Sequence, residues 1–297
     1  MLLDEILARP EGAKRRVALV KAEHDESLLT VKQALAEEIA DFVLIGNADA
    51  IREKCEVLDV PLSNCEILDI SDDQEAAEKG AALAAEGSVD VLMKGIIHSS
   101  VFTRALLNKE LGLVPPGGLI SHFGIFELPG LPGALGITDS ALNIAPDLEQ
   151  KKIILENALN MMHRLTPRLL QTACIAPVEK VNPKIPATVD AAALAAMEWE
   201  GAHVEGPLAL DVALSAEAAD LKGIESDVAG QPDLLLFPDL NSANAVYKAF
   251  AFMPGSRHAG VLAGLSLPVI LTSRSDPEEV RSLSLKLAIA ASGVTEL

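Results

Sequence analysis

Along this chain, short apolar runs alternate with longer stretches whose apolar positions recur every three or four residues. That alternation is the signature of βαβ units built around a parallel sheet. Residues 16–20 and 42–46 read as strands, with a helix over 26–39 between them. A helix to about residue 58, a strand over 66–70 and an Ala-rich helix over 72–86 follow. Residues 89–93 form the next strand, opening at Lys94-Gly95 into a loop and a helix over about 99–111, with Ser99 or Ser100 as its N-cap.

The texture changes over residues 112–136, where prolines and glycines crowd together as Val114-Pro115-Pro116-Gly117-Gly118 and Leu128-Pro129-Gly130-Leu131-Pro132-Gly133. A stretch of this kind in a regular chain marks a crossing between domains or a β-rich excursion. Regular periodicity then resumes, with a strand near Leu135, a helix over 147–165 and a strand over 171–176. Helices over 187–200 and 210–221, a strand over 234–237 and a helix containing Tyr247 come next. Strands near Gly260 and Val269 and a helix over 277–291 close the pattern, which shows no internal repeat.

Composition narrows the function classes. With 297 residues, 49% of them hydrophobic, the chain can build two α/β domains or one large one. A formal charge of −19 opposes a nucleic-acid or anionic-membrane partner. One Trp, one Tyr and seven Phe leave little for base stacking. No apolar run is long enough to span a bilayer, and the charged opening Met1-Leu2-Leu3-Asp4-Glu5 does not read as a secretory signal, so a cytoplasmic protein is expected. Cys55, Cys65 and Cys174 lack CxxC or metal-ligand spacing and read as small buried hydrophobes.

Polar clusters sit where strands end, which is where open α/β sheets bind ligands. The sharpest is Leu271-Thr272-Ser273-Arg274-Ser275-Asp276-Pro277, a strand-to-helix turn carrying hydroxyls, a guanidinium and a carboxylate. A helix N-terminus with an arginine beside it suits an anion, but taken alone the turn reads better as a cap, Ser275 or Asp276 before Pro277 at the first helical position. Lys94 could hold a phosphate or be merely solvated, and Arg104, on the first turns of its helix, could be an anion clamp or a surface arginine. Thr138, Asp139 and Asn143 offer a hydroxyl, a carboxylate and an amide, or only turn chemistry. Glu205-Gly206-Pro207 and Pro238-Asp239-Leu240-Asn241 read as turn-to-helix junctions, and His98 and His122 as structural histidines. No P-loop, GxSxG, HExxH or GxGxxG pattern occurs.

Six ordered motifs resemble one family. Val91-Leu92-Met93-Lys94-Gly95, Thr138-Asp139-Ser140-Ala141-Leu142-Asn143-Ile144-Ala145-Pro146 and Val181-Asn182-Pro183-Lys184-Ile185-Pro186-Ala187-Thr188 are the first three. Glu205-Gly206-Pro207-Leu208-Ala209-Leu210-Asp211, Phe237-Pro238-Asp239-Leu240-Asn241 and Leu271-Thr272-Ser273-Arg274 complete them. They look like the phosphate acetyltransferase and phosphate butyryltransferase family, over residues from about 15 to 291. The segments at 182–188 and 272–276 look more like the butyryl branch, and Ser275 stands where acetyl enzymes usually have glycine.

The resemblance implies reversible transfer of a short acyl group between coenzyme A and phosphate, with CoA a substrate and no metal, nicotinamide or permanently bound cofactor. It implies an α/β fold like that of isocitrate and isopropylmalate dehydrogenases: two domains, three layers, mostly parallel sheets, and usually a homodimer. Domain one would take residues 1–115 and 260–297, domain two 116–259, with the active site in the cleft between. Arg274 would be the catalytic arginine and Ser273 the oxyanion donor. The family's catalytic aspartate falls here on Val280, or on Glu279 with a slip of one, so the chain departs from the family at the base, and of the nearby carboxylates Asp276, Glu278 and Glu279 it is Asp276 that is taken for it. Lys94, Arg104, Thr138, Asp139, Asn143 and Thr272 would bind phosphate or CoA. Two alternatives stay within the fold, a phosphate acetyltransferase and a non-catalytic CoA-binding subunit. A dehydrogenase of the same fold would need metal-binding aspartates and a nicotinamide site, and neither can be placed.

Overall fold

The computed structural model describes residues 2–8, 14–271 and 276–292. These gather into two compact units. A central unit holds the chain up to Ile6 and Leu119–His258, and a terminal unit holds Leu7–Gly118 and the chain from Ala259 onward.

The chain opens with a short helix, α1 (Leu3–Leu7), absent from the sequence pattern, whose Leu3 N–H donates to Glu127 at 2.9 Å. The terminal unit then runs β1 (Arg15–Val20), α2 (Asp25–Ala36), β2 (Ala40–Gly46), α3 (Ala48–Val57), β3 (Cys65–Asp69), α4 (Asp73–Ala85), β4 (Val91–Lys94) and α5 (Ser99–Leu106). The central unit follows with β5 (Ser121–Glu127), β6 (Ala134–Thr138), α6 (Leu148–Leu165), β7 (Leu170–Ile175), α7 (Pro186–Ala195), β8 (Ala202–Leu208), α8 (Leu210–Leu214), α9 (Ala216–Lys222), β9 (Leu234–Leu236) and α10 (Leu240–Ala251). The chain ends with β10 (Arg257–Ala263), β11 (Val269–Ile270) and α11 (Glu278–Ser292).

In the terminal unit β3, β2, β1, β4 and β11 lie side by side and parallel, and β10 joins β11 antiparallel through Leu262 and Val269. Helices cover a sheet of this kind on both faces, so its strands are apolar at nearly every position rather than at alternate ones. Val17, Ala18, Leu19 and Val20 are accordingly all fully buried, as are Val91, Leu92 and Met93. Burying one such Leu or Val stabilises by roughly 1.5–3 kcal/mol. Side-chain caps fix where the helices start: Asn47 accepts from the Ala50 N–H, and Asp72 from the Gln74 and Glu75 N–H groups.

In the central unit the order is β5, β6, β9, β7, β8. Here β5 and β6 pair antiparallel and the rest parallel. The Pro/Gly-dense stretch is thus partly a β excursion, since β5 and β6 flank the loop at 128–133. Phe126, Ile137, Leu235, Val212 and Phe250 build the core beneath them. Asp147 and Gln150 form a reciprocal capping box at the start of α6.

Several expected elements differ. The helix expected over 99–111 stops at Leu106, because the Asn108 side chain accepts the Glu110 N–H at 3.1 Å and turns the chain. Its N-cap is His98, with no side-chain cap bond, rather than Ser99 or Ser100. The helix expected over 187–200 ends at Ala195, where the Trp199 indole N–H donates to the Leu194 carbonyl. The single helix expected over 210–221 is two, broken at the extended Ser215, whose hydroxyl caps α9 by accepting the Ala218 N–H. Glu205-Gly206-Pro207, read as a turn-to-helix junction, lies within the strand β8, which ends the sheet order, a place where proline's missing N–H is tolerated. Gly206 is required there, as a Cβ would lie 2.7 Å from that of Cys174.

Candidate functional site

Two groups of polar side chains stand at the carboxyl ends of parallel strands, one in each unit. In the terminal unit Lys21 and Lys94 follow β1 and end β4, which are adjacent and parallel, and both side chains are buried. Lys94 is therefore not the solvated strand-end lysine that sequence alone allows. Its Nζ donates to the carbonyls of Gly95 at 3.2 Å and Ile97 at 3.1 Å. Gly95 makes this possible: its N–H donates to the Val20 carbonyl, and a Cβ there would lie 2.1 Å from the Lys21 carbonyl oxygen. Lys21 Nζ meets Glu23 at 3.1 Å, Asp73 at 3.4 Å and the Ser71 carbonyl at 2.8 Å. Carboxylates thus compensate Lys21.

Strand β11 runs beside β4, with Ile270 opposite Met93, so the two strands end side by side at Ile270 and Lys94. Thr272, Ser273, Arg274 and Ser275, expected to carry the chemistry, lie outside the described residues. Asp276 is half-buried just before α11, Glu278 and Glu279 are exposed on its first turn, and Val280 is buried. Arg104 is exposed and lies in the last turn of α5 rather than its first, because the helix is short.

In the central unit the loop after β6 is organised by one carboxylate. Asp139, 5% exposed, accepts from the N–H groups of His122, Ala141, Leu142 and Asn143 and from the Asn143 side-chain amide. Thr138, fully buried, donates its hydroxyl to the His122 carbonyl at 3.0 Å, and Asn143 donates to the Ile120 carbonyl at 3.0 Å. Thr138, Asp139 and Asn143 are therefore brought together, with Asp139 turned onto its own loop. Ser140 Oγ lies 2.8 Å from His122 Nδ1, and the His122 ring meets Tyr247 edge-on. The loop is also tied to α10: Asn244 donates to the Ser140 carbonyl at 2.9 Å, and Asp239 caps the helix through the Ser242 N–H.

Sequence reasoning missed Lys21 and the pairing of Ser140 with His122. Lys21 carried the same signal as Lys94, a lysine directly after an apolar strand. The histidine pairing had none, because residues 122 and 140 meet only through the antiparallel register of β5 and β6.

Cys55 and Cys174 are buried as expected, Cys65 is half-buried, and the surroundings of each disfavour its thiolate. Burial pushes Cys174 up to about 12, and burial together with nearby Cys55 and Asp41 pushes Cys65 up to about 12. Burial also raises Cys55. Among the described residues, the potential metal ligands of His203, Glu205 and Asp227 lie within 4.8 Å of one another. No helix among those residues is long and apolar enough to cross a membrane.

Comparison with known proteins puts this geometry in a family. The model for Phosphate acetyl/butaryl transferase matches residues 1–79 and 74–288. A phosphate butyryltransferase of Clostridium beijerinckii is 39% identical over 290 residues, spanning 96% of each chain. A phosphate acetyltransferase of Rickettsia typhi is 38% identical over 289 residues, 95% of this chain and 82% of that one. A branched-chain phosphotransacylase of Enterococcus faecalis V583 superimposes with a TM-score of 0.83 at 30% identity, covering 94% of this chain and 99% of its own.

Proposed function

The chain belongs to the phosphate acetyl/butyryl transferase family, and on that premise we propose how its own residues divide the work and which acyl group it prefers. It is an enzyme that moves a short-chain acyl group between coenzyme A and inorganic phosphate. In the direction that forms acyl phosphate, a phosphate oxygen attacks the thioester carbonyl, the C–S bond breaks, the leaving sulfur takes up a proton, and acyl phosphate and CoA leave. In reverse the CoA thiol attacks, its proton goes to a base, and phosphate departs.

Phosphate carries two negative charges into the site and the intermediate gathers another on the carbonyl oxygen, so catalysis rests on cations and hydrogen-bond donors held in place beforehand. Arg274 forks onto phosphate, and Ser273 donates to the oxyanion, with Thr272 beside it. Lys94 and Arg104 add positive charge. The observation that carries this reading is the placement of Lys94, buried at the end of β4 where β11 ends beside it. An ammonium held at the carboxyl end of parallel strands suits a phosphate, which it meets as a point charge. Thr138 and Asn143 offer their loop to substrate, and Asp139 acts by holding that loop rather than by touching phosphate. Asp276 takes the thiol proton.

Butyryl or a similar short chain is the preferred acyl group, a reading supported by the 39% identity to the C. beijerinckii enzyme and by Ser275 after Arg274. The finer architecture is the two-domain, three-layer one of isocitrate and isopropylmalate dehydrogenases, divided as 1–115 with 260–297 and 116–259. The enzyme works as a cytoplasmic homodimer with no resident cofactor.

The test compares kcat/KM for acetyl-, propionyl-, butyryl- and branched acyl-CoA with phosphate. One methylene is worth about 1–3 kcal/mol in an apolar pocket. Butyryl should therefore lead acetyl by tenfold or more, and an acetyl preference would turn the reading to a phosphate acetyltransferase. A chain that binds CoA yet turns over none of the four is the non-catalytic subunit. For the base, Asp276→Asn should cost about 10²-fold in acyl phosphate consumption with CoA. Glu278→Gln and Glu279→Gln, on the exposed first turn of α11, should be mild.

A further inference from the structure

We propose that His203, Glu205 and Asp227 form a binding site for a divalent zinc-like cation that clips the loop at 223–230 to strand β8. Positions 203 and 205 are two apart on a strand and so share one face. His203 Nε2 lies 2.9 Å from Glu205 Oε1, and the Asp227 carboxylate, exposed on the loop, brings all three ligand atoms within 4.8 Å of one another. Two ligands that each bind one ion at about 2.0–2.1 Å stand roughly 3 Å apart. The histidine and glutamate already have that spacing, and Asp227 needs only a rotamer-scale move inward. Glu205 is also held in place, by the Ser226 hydroxyl at 2.5 Å and by the Asp227 N–H at 2.9 Å. Supporting hydrogen bonds of this kind orient a metal-binding carboxylate.

The ligand set selects the metal class. One imidazole nitrogen and two carboxylates suit zinc and its first-row neighbours, whereas calcium and magnesium want six or more oxygens. On binding, the ion takes the Nε2 position that now faces Glu205, and the imidazole binds as the neutral ring with its proton on Nδ1. A net charge of −19 favours cation capture. The role is structural: the clip fastens the loop that leads from α9 to β9.

The full-length protein, stripped with EDTA and exchanged into metal-free buffer, is titrated calorimetrically with ZnCl2 alone and, separately, with MgCl2. Zinc should bind at one site per chain and raise Tm, and magnesium should give no heat. His203→Gln, whose amide can still donate to Glu205, should leave the metal-free Tm unchanged and weaken zinc binding by more than about tenfold. Asp227→Asn, at an exposed position, gives the same reading should the first variant fold poorly. No zinc binding to the wild type overturns the proposal, as does unchanged binding in both variants, which would put the ion on other histidines or on Cys65.

Discussion

The strand ends of the two units solve different problems. In the central unit one buried carboxylate, Asp139, gathers five N–H donors and so fixes the path of residues 138–143. In the terminal unit two buried lysines close adjacent strands, Lys21 paired with Glu23 and Asp73 and Lys94 donating to the carbonyls of Gly95 and Ile97. A loop whose polar groups satisfy one another supplies shape, and a cation buried at a strand end supplies affinity for an anion. The contrast separates stability from catalysis residue by residue.

The widest gap is expected at Arg274, where Arg274→Lys keeps the charge but loses the planar fork. It should cost about 10²–10³ in kcat/KM with little change in Tm, and near-wild-type kcat/KM in a folded variant would defeat the assignment. Asp139→Asn should act the other way. It replaces an acceptor-only group with one whose amide meets several N–H donors, and each buried donor left unsatisfied costs about 1–3 kcal/mol. A loss of at least about 3 kcal/mol in chemical denaturation is expected, and an unchanged midpoint would show the loop to be held elsewhere. Lys94→Met should come next, with kcat/KM down by about tenfold through a raised KM for phosphate, since a charge-assisted contact is worth roughly 1.5–3 kcal/mol. Lys21→Met should instead lower Tm and spare KM. A reversed pair of results would exchange the two lysines' roles.

The smallest effect concerns pH. Burial pushes the Glu205 carboxyl up, but hydrogen bonds from Ser226, His203 and the Asp227 N–H outweigh it, so its pKa lies below the ordinary 4.5. A carboxyl depressed on folding stabilises above its unfolded value, and that contribution disappears as pH falls through the folded one. Glu205→Gln should therefore lower stability by about 1 kcal/mol at pH 7 and by progressively less below about pH 4.5. A gap that stays constant down to pH 3 would mean that shape, not charge, holds the loop.

The alternation of apolar runs and amphipathic stretches was enough to locate the parallel strands other than β8, and strands buried on both faces leave an unmistakable apolar run, as in Val17–Val20 or Val91–Met93. It failed where a single residue changed the local rule. Ser215 splits one amphipathic stretch by capping its own second half, and Asn108 ends α5 early by bonding forward. Strand β8 was hidden because Gly206 and Pro207 spell a turn locally, while the pairing of Gln171 with His203 and its neighbours decides otherwise. The site divided similarly. Thr138, Asp139 and Asn143 form one turn motif and were legible together, but the inward turn of Asp139 depends on the His122 N–H, supplied from the neighbouring strand β5. Lys94 was visible as a residue and not as a buried one, because burial follows from the close approach of Gly95 to the backbone at Lys21.

The burial of the cysteines has a consequence for chemical selectivity. A reaction between a thioester and a thiol could acylate any thiolate in reach, and a protein that modified itself in this way would accumulate dead ends. With Cys65 and Cys174 pushed up to about 12, the thiolate fraction of each at pH 7 is on the order of 10⁻⁵. The chain thus keeps its own sulfur in the protonated, non-nucleophilic form and leaves coenzyme A as the sulfur that reacts.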